Sequence, residues 1–186
     1  MKHLFVGAHP DDLEFGCAGT ARQVILNGGE ALFLVLTDGG RGGDPEARKI
    51  EQERACKLLG VEYRNLGWTD LGVFETEETV AAIKEIVREY APDVIYTHAR
   101  RDKHPDHINT TLIVEKAAEA KKTPLLYFRS FSSIAFDPCV TVRHCCAEEK
   151  EKALSCHKSQ IDKYKNRGID FIKIAMPQEN EECFEM

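Results

Sequence analysis

Residues 3–20 read HLFVGAHPDDLEFGCAGT, and the fold turns on how this stretch divides. The apolar run Leu4-Phe5-Val6 has no polar alternation, which suits a parallel strand buried on both faces. It ends in the small pair Gly7-Ala8, and His9, Pro10, Asp11 and Asp12 follow at once. From residue 14 the apolar positions recur at helical spacing until Gly28-Gly29 stops them. The unit is therefore strand, polar turn, helix. Two adjacent carboxylates at a strand mouth repel one another, and a metal cation is the usual compensation.

The same alternation continues outward. Residues 31–37 (ALFLVLT) form a second apolar run, and DGGRGGDP (38–45) is a glycine-rich loop. A helix is expected over 46–60, stopped by Gly60, and a third strand over 61–66. A helix over 75–90 has Thr76 as candidate N-cap, with Glu77 and Glu78 in its first turn. Residues 93–98 give strand four and 107–122 another helix. Late strands are expected at 124–129 and 139–144, one polar helix at 148–164, and a last strand with a frayed acidic end in 169–186. Such alternation predicts an α/β fold, a mostly parallel sheet with helices on both faces. One domain over residues 1–186 is expected, with no linker or internal repeat.

Bulk properties exclude some functions. The chain has 186 residues, 42% hydrophobic and 30% charged, which argues against disorder. Its net charge of −6 disfavours a nucleic-acid binder working through backbone electrostatics. Neither a leader peptide nor an 18-residue apolar run is recognisable, so a cytoplasmic protein without a membrane partner is expected. Seven irregularly spaced cysteines read as reduced packing residues, and Cys145-Cys146 is not a C-x-x-C.

The chemistry gathers in two places. HPDD (9–12) follows strand one and HPDH (104–107) follows strand four. Sites in open α/β sheets lie beyond the carboxyl ends of the strands. The strand order three-two-one-four makes strands one and four neighbours, so the clusters meet. Together they offer three imidazoles and three carboxylates, where a catalytic zinc needs about three protein ligands and an open position. Two histidines and a carboxylate also suit Fe(II), Co(II) or Mn(II).

AHPDDLEFGCAGT with a later HPDH resembles the PIG-L/LmbE family of zinc-dependent sugar N-deacetylases, which have a three-layer, Rossmann-like fold. LTDGG (36–40), the spacing of Arg48, Glu51, Ala55, Leu59 and Gly60, LGWTDLGV (66–73) and KALSCHKSQ (152–160) extend the resemblance over about residues 3–160. It implies that His9, Asp12 and His107 bind zinc, that Asp11 is the general base, and that a positively charged His104 stabilises the oxyanion with Asp106 orienting it. It further implies sugar contacts from Arg48 and Asp70, a small amino-sugar substrate of N-acetylglucosamine type, and self-association of unstated number. The chain is short for this family, whose late loops often shape the substrate pocket. For Arg48 a surface pair with Glu51 is the competing reading, and for Asp70 a solvated loop residue.

Rival functions are a metal-dependent phosphoesterase and a non-catalytic metal- or sugar-binding module. The first usually needs more bridging carboxylates, and the second has no need of Asp11. A dinucleotide-binding oxidoreductase is disfavoured, because GAHPDD stands where G-x-G-x-x-G is required.

Overall fold

The computed structural model describes residues 1–119, 121–143, 146–176 and 181–186. Strands β1 (Lys2–Gly7), β2 (Glu30–Thr37), β3 (Glu62–Trp68), β4 (Val94–His98) and β5 (Leu125–Phe128) alternate with helices α1 (Asp12–Leu26), α2 (Pro45–Leu59), α3 (Glu77–Tyr90) and α4 (Pro105–Glu119). Then follow β6 (Val140–Arg143), α5 (Ala147–Leu154), α6 (Lys158–Lys165), α7 (Phe171–Ala175) and β7 (Glu181–Glu185). The seven-stranded sheet runs β3-β2-β1-β4-β5-β7-β6. The first five strands are mutually parallel, and β7 pairs antiparallel with both β5 and β6. The chain is thus an α/β protein with a mostly parallel sheet, and β1 and β4 are neighbours.

The unbroken apolar runs are explained by which face each residue serves. Phe5, Phe33 and Val35 enter the core under α1 and α2, while Leu4, Val6, Leu32, Leu34 and Leu36 enter the core under α3 and α4. Successive side chains of one strand feed opposite cores, so the central strand positions are apolar on both faces.

The helix ends follow their capping residues. Thr76 caps α3 in a reciprocal box with Thr79. Asp44 caps α2, and Gly60 ends it in the left-handed conformation at φ 75°.

β5 and β6 answer to the late strands expected at 124–129 and 139–144, and the departures lie beyond them. The helix expected over 148–164 breaks at residues 155–157, where His157 becomes the N-cap of α6. That break buries His157 against Glu14, which a continuous lysine-rich helix would not do. Within 169–186 the apolar stretch forms helix α7, and the last strand, β7, falls in the acidic end expected to fray. Glu182 of β7 accepts from the N–H groups of Gly19 and Thr20, just beyond a kink in α1 at Cys17, and pairs with buried Lys150 at 2.6 Å. His144 and Cys145, part of the late-strand and cysteine readings, lie outside the described residues. Among the described residues no helix is long and apolar enough to cross a membrane.

Candidate metal centre

The turns after β1, β2, β3, β4 and β5 all end at one edge of the sheet, and a cavity of about 190 Å³ opens there. His9, Asp11, Asp70, His104 and His107 line it. A larger cavity of about 660 Å³, lined by Arg129, Lys150 and Glu182 among others, shares no residue with it.

Three groups from the two clusters meet at its floor. His9 Nδ1 lies 3.2 Å from His107 Nε2 and 3.3 Å from an Asp12 carboxylate oxygen, and His107 Nε2 lies 3.4 Å from the other oxygen. Tetrahedral zinc with ligands at about 2.0–2.2 Å needs ligand atoms roughly 3.3 Å apart, so these separations suit one small cation. The charge balance points the same way. Burial works against a charge on His9, yet the carboxylates of Asp106, Asp12 and Asp70 raise its pKa well above the usual value. Burial likewise opposes charge on His107, but Asp12 and Asp102 raise it to about 9. Burial would raise Asp12, and the neighbouring imidazoles, His107 foremost, instead hold it well below the carboxylate range. The pocket is built to hold positive charge, and its donor set fits a cation.

Further His/Asp groupings overlap this one: His9 with His104 and His107, Asp12 with His98 and His107, and His9 with Asp70 and Asp106. His98 is committed elsewhere, since its Nε2 accepts the Ala8 N–H at 3.0 Å. Burial lowers its pKa to about 4, so it is a neutral ring stacked on His107.

Local backbone geometry sends Asp11 and Asp12 in different directions. Asp12 begins α1 and accepts the His9 N–H at 2.7 Å. Asp11 occupies the N-cap position in the left-handed region, φ 106°, but its side chain makes no capping bond. The carboxylate therefore faces the cavity, and Arg48 lies 3.3 Å from it. Gln52 fixes the unusual turn by accepting the Asp11 N–H at 3.0 Å, and Gln52 in turn donates to buried Glu14 at 2.6 Å. Burial raises the Asp11 carboxyl to about 6, against the pull of Arg48.

Three expected roles look different in the structure. The Asp106 carboxylate does not orient His104. It lies 3.1 Å from His9 Nε2 and accepts the N–H groups of Leu71 and Val73 at 2.7 and 3.2 Å. Burial lowers the pKa of His104, as do the charges of His107 and His9, so an imidazolium is disfavoured there. Its Nδ1 accepts the Asp106 N–H at 3.3 Å, which leaves Nε2 as the protonated, donating nitrogen. Arg48 is buried and pairs with Asp11 rather than Glu51, which is held by Ser159. Its guanidinium donates to the carbonyls of Pro10 and Gly39. Asp70 is neither solvated nor free, because its carboxylate accepts the Arg41 N–H at 2.9 Å and sits 3.3 Å from His9 Nε2. Sequence reasoning missed Gln52 and Asp102. Only the chain's spatial path brings them to the site, although Gln52 sits one residue past Glu51 of the helix motif.

A family model described as GlcNAc-PI de-N-acetylase, PIG-L, matches residues 4–118, which include every site residue named above. The chain belongs to the PIG-L family. An uncharacterized deacetylase of Escherichia coli (strain K12) is 31% identical over 113 residues, 56% of this chain and 61% of that relative. Diacetylchitobiose deacetylase of Thermococcus kodakarensis is 30% identical over 119 residues, 57% of this chain and 45% of that enzyme. A solved structure shares the fold over nearly the whole chain. The conserved protein TT1542 from Thermus thermophilus superposes with a TM-score of 0.84 at 25% identity, covering 98% of this chain and 92% of that one. The chain spans about half the length of the curated relatives it matches.

Proposed function

We propose that this PIG-L chain is a metal-dependent N-deacetylase, with zinc as its metal and an N-acetylglucosamine-type amide as its substrate. The observation that carries the reading is the convergence of His9 Nδ1, Asp12 and His107 Nε2 at mutual separations of 3.2–3.4 Å beside an uncapped Asp11. In this reading His9, Asp12 and His107 hold the cation. When bound, it supplies Lewis acidity and brings the pKa of a water to about 7.

The chain's own residues do the rest. Asp11 takes the proton of the attacking water. Its elevated pKa suits a base working near neutrality, and a neighbouring cation draws it back toward the ionised form. The new C–O bond places a negative charge on the former carbonyl oxygen. His104 faces that charge as a neutral imidazole, its Nε2–H donating while Nδ1 is held by the Asp106 N–H. Asp11 then passes the proton to the leaving nitrogen, the C–N bond breaks, and acetate and a free amine depart. Asp106 and Asp70 receive the Nε2–H of His9, so that Nδ1 is the nitrogen left for the cation. Arg48 steadies Asp11 from 3.3 Å.

The test is acetate release from N-acetylglucosamine, GlcNAc-malate and diacetylchitobiose by protein stripped of metal and reloaded with zinc. Release that needs metal, and is lost in Asp11→Asn while zinc stays bound, is the expected result. No release from any of the three at stoichiometric zinc would sink the sugar-deacetylase reading.

A further inference from the structure

Asp102 has no part in the steps above, yet it is among the most heavily bonded side chains near the site. It lies in the turn between β4 and α4, five residues before His107, with its side chain fully buried. Its oxygens collect donors from two loops. The His104 N–H donates at 2.8 Å, the hydroxyls of Ser130 and Ser132 donate closely, and Ser133 donates at 3.3 Å. A β-bridge between Asp102 and Ser133 ties the loop after β5 to the turn after β4.

The remaining contact of this carboxylate is functional in direction. Oδ2 of Asp102 lies 3.2 Å from Nδ1 of His107, and Ser132 Oγ approaches the same nitrogen at 3.2 Å. The ring's other nitrogen, Nε2, is the one that faces Asp12 and His9. The His107 ring also lies flat on His98, with centroids 3.9 Å apart and planes 9° apart. His107 is thus gripped on one face and at one edge, and only Nε2 is left toward the cavity. Metal-ligating histidines commonly donate their second ring N–H to a carboxylate, which fixes both tautomer and ring orientation.

We propose that Asp102 is a positioning residue that sets the ring orientation and tautomer of His107 and anchors the His104 backbone, with the Ser130–Ser133 loop holding Asp102 in place. The proposal rests on the metal reading above. It differs from a loop-stapling role, which would need only the serines and the bridge.

Zinc affinity distinguishes the two. The full chain, Asp102→Asn and Ser132→Ala are titrated against a zinc chelator, and the metal-free proteins are melted in parallel. Asp102→Asn is expected to bind zinc about 10- to 100-fold more weakly. Ser132→Ala keeps the carboxylate but loses the hydroxyl shared with His107, so a smaller loss in the same direction is expected. Should Asp102→Asn fail to fold, Ser132→Ala carries the test alone. Lower melting temperatures with wild-type zinc affinity would leave only the staple and overturn the proposal. A wild-type chain that takes up no zinc would remove the metal reading and this one with it, a result distinct from unchanged variants.

Discussion

Replacing Arg48 decides between two roles for a residue that sequence resemblance assigns to substrate. If the guanidinium contacts sugar, Arg48→Met raises KM and leaves the fold alone. The structure predicts the opposite. Arg48 donates to Pro10 and Gly39 and faces Asp11 at 3.3 Å, all in buried surroundings. Glycine at 39 and 42 makes room for it, since a Cβ at either position would collide with Arg48 Nη1. Each bond from a charged donor contributes about 1.5–3 kcal/mol. Removing one partner of a buried ion pair costs about 3–5 kcal/mol. These effects share one side chain and do not add, so a loss of about 3–5 kcal/mol is expected in all. For a chain of 186 residues that corresponds to a Tm lower by about 6–20 °C. Arg48→Lys should fall between, because one ammonium cannot reproduce the planar fork. Arg48 also lowers the Asp11 pKa, so its removal moves the acid limb of the kcat/KM profile to higher pH. The assays are thermal unfolding, steady-state kinetics and a pH–rate profile. Unchanged Tm, an unmoved acid limb and a raised KM together would refute the staple and restore the sugar contact.

Further predictions address the oxyanion donor, helix packing and pH. His104→Gln keeps a neutral donor and His104→Ala does not; Ala should lose about 10²–10³ in kcat, and Gln should recover part of it, which steady-state kinetics will show. Gly16→Ala drives a Cβ into the Phe128 ring, an overpacking worth about 1–3 kcal/mol by chemical denaturation. His157 lies 3.4 Å from Glu14; burial works against its charge, but Glu14 raises its pKa above 6.5. Its contribution to stability is therefore complete below pH 6.5 and is lost as pH rises through the higher folded value. His157→Gln should flatten the pH dependence of Tm in that window, and an unchanged slope would exclude the pair.

The sheet was legible because burial on both faces favours unbroken apolar runs, and the centres of β1 and β2 show that directly. The order of β3-β2-β1-β4 followed from alternation, and that order brings HPDD to HPDH. What stayed hidden depended on long-range pairing. Nothing local in Glu181–Glu185 says that its strand inserts between β5 and β6. Its acidic residues read as a solvated tail until Lys150 and the Gly19 and Thr20 N–H groups supply partners for Glu182. Asp106, which the resemblance implies as the partner of His104, is directed elsewhere for a related reason. Helix α4 turns the Asp106 carboxylate toward the β3–α3 loop and His9.

The two aspartates of HPDD make the more general argument. Adjacent carboxylates are costly if their environments are alike, and useful if they are pushed apart in pKa. Here the separation is achieved by one backbone torsion. With φ 106°, Asp11 reverses the chain just before α1, so Asp12 turns toward His9, His98 and His107 while Asp11 turns toward Arg48 and the cavity. The first environment is rich in imidazoles and holds Asp12 ionised, and the second is dominated by burial and raises Asp11 to about 6. Such a torsion costs a non-glycine residue on the order of 1–3 kcal/mol and persists only where the surroundings enforce it. Gln52 and Arg48, both on α2, meet that requirement from one helix: Gln52 takes the Asp11 N–H and Arg48 the Pro10 carbonyl. The helix motif beginning at Arg48 thus shapes the turn that carries both aspartates, and in the proposed mechanism that turn leaves Asp12 to the cation and Asp11 to the proton.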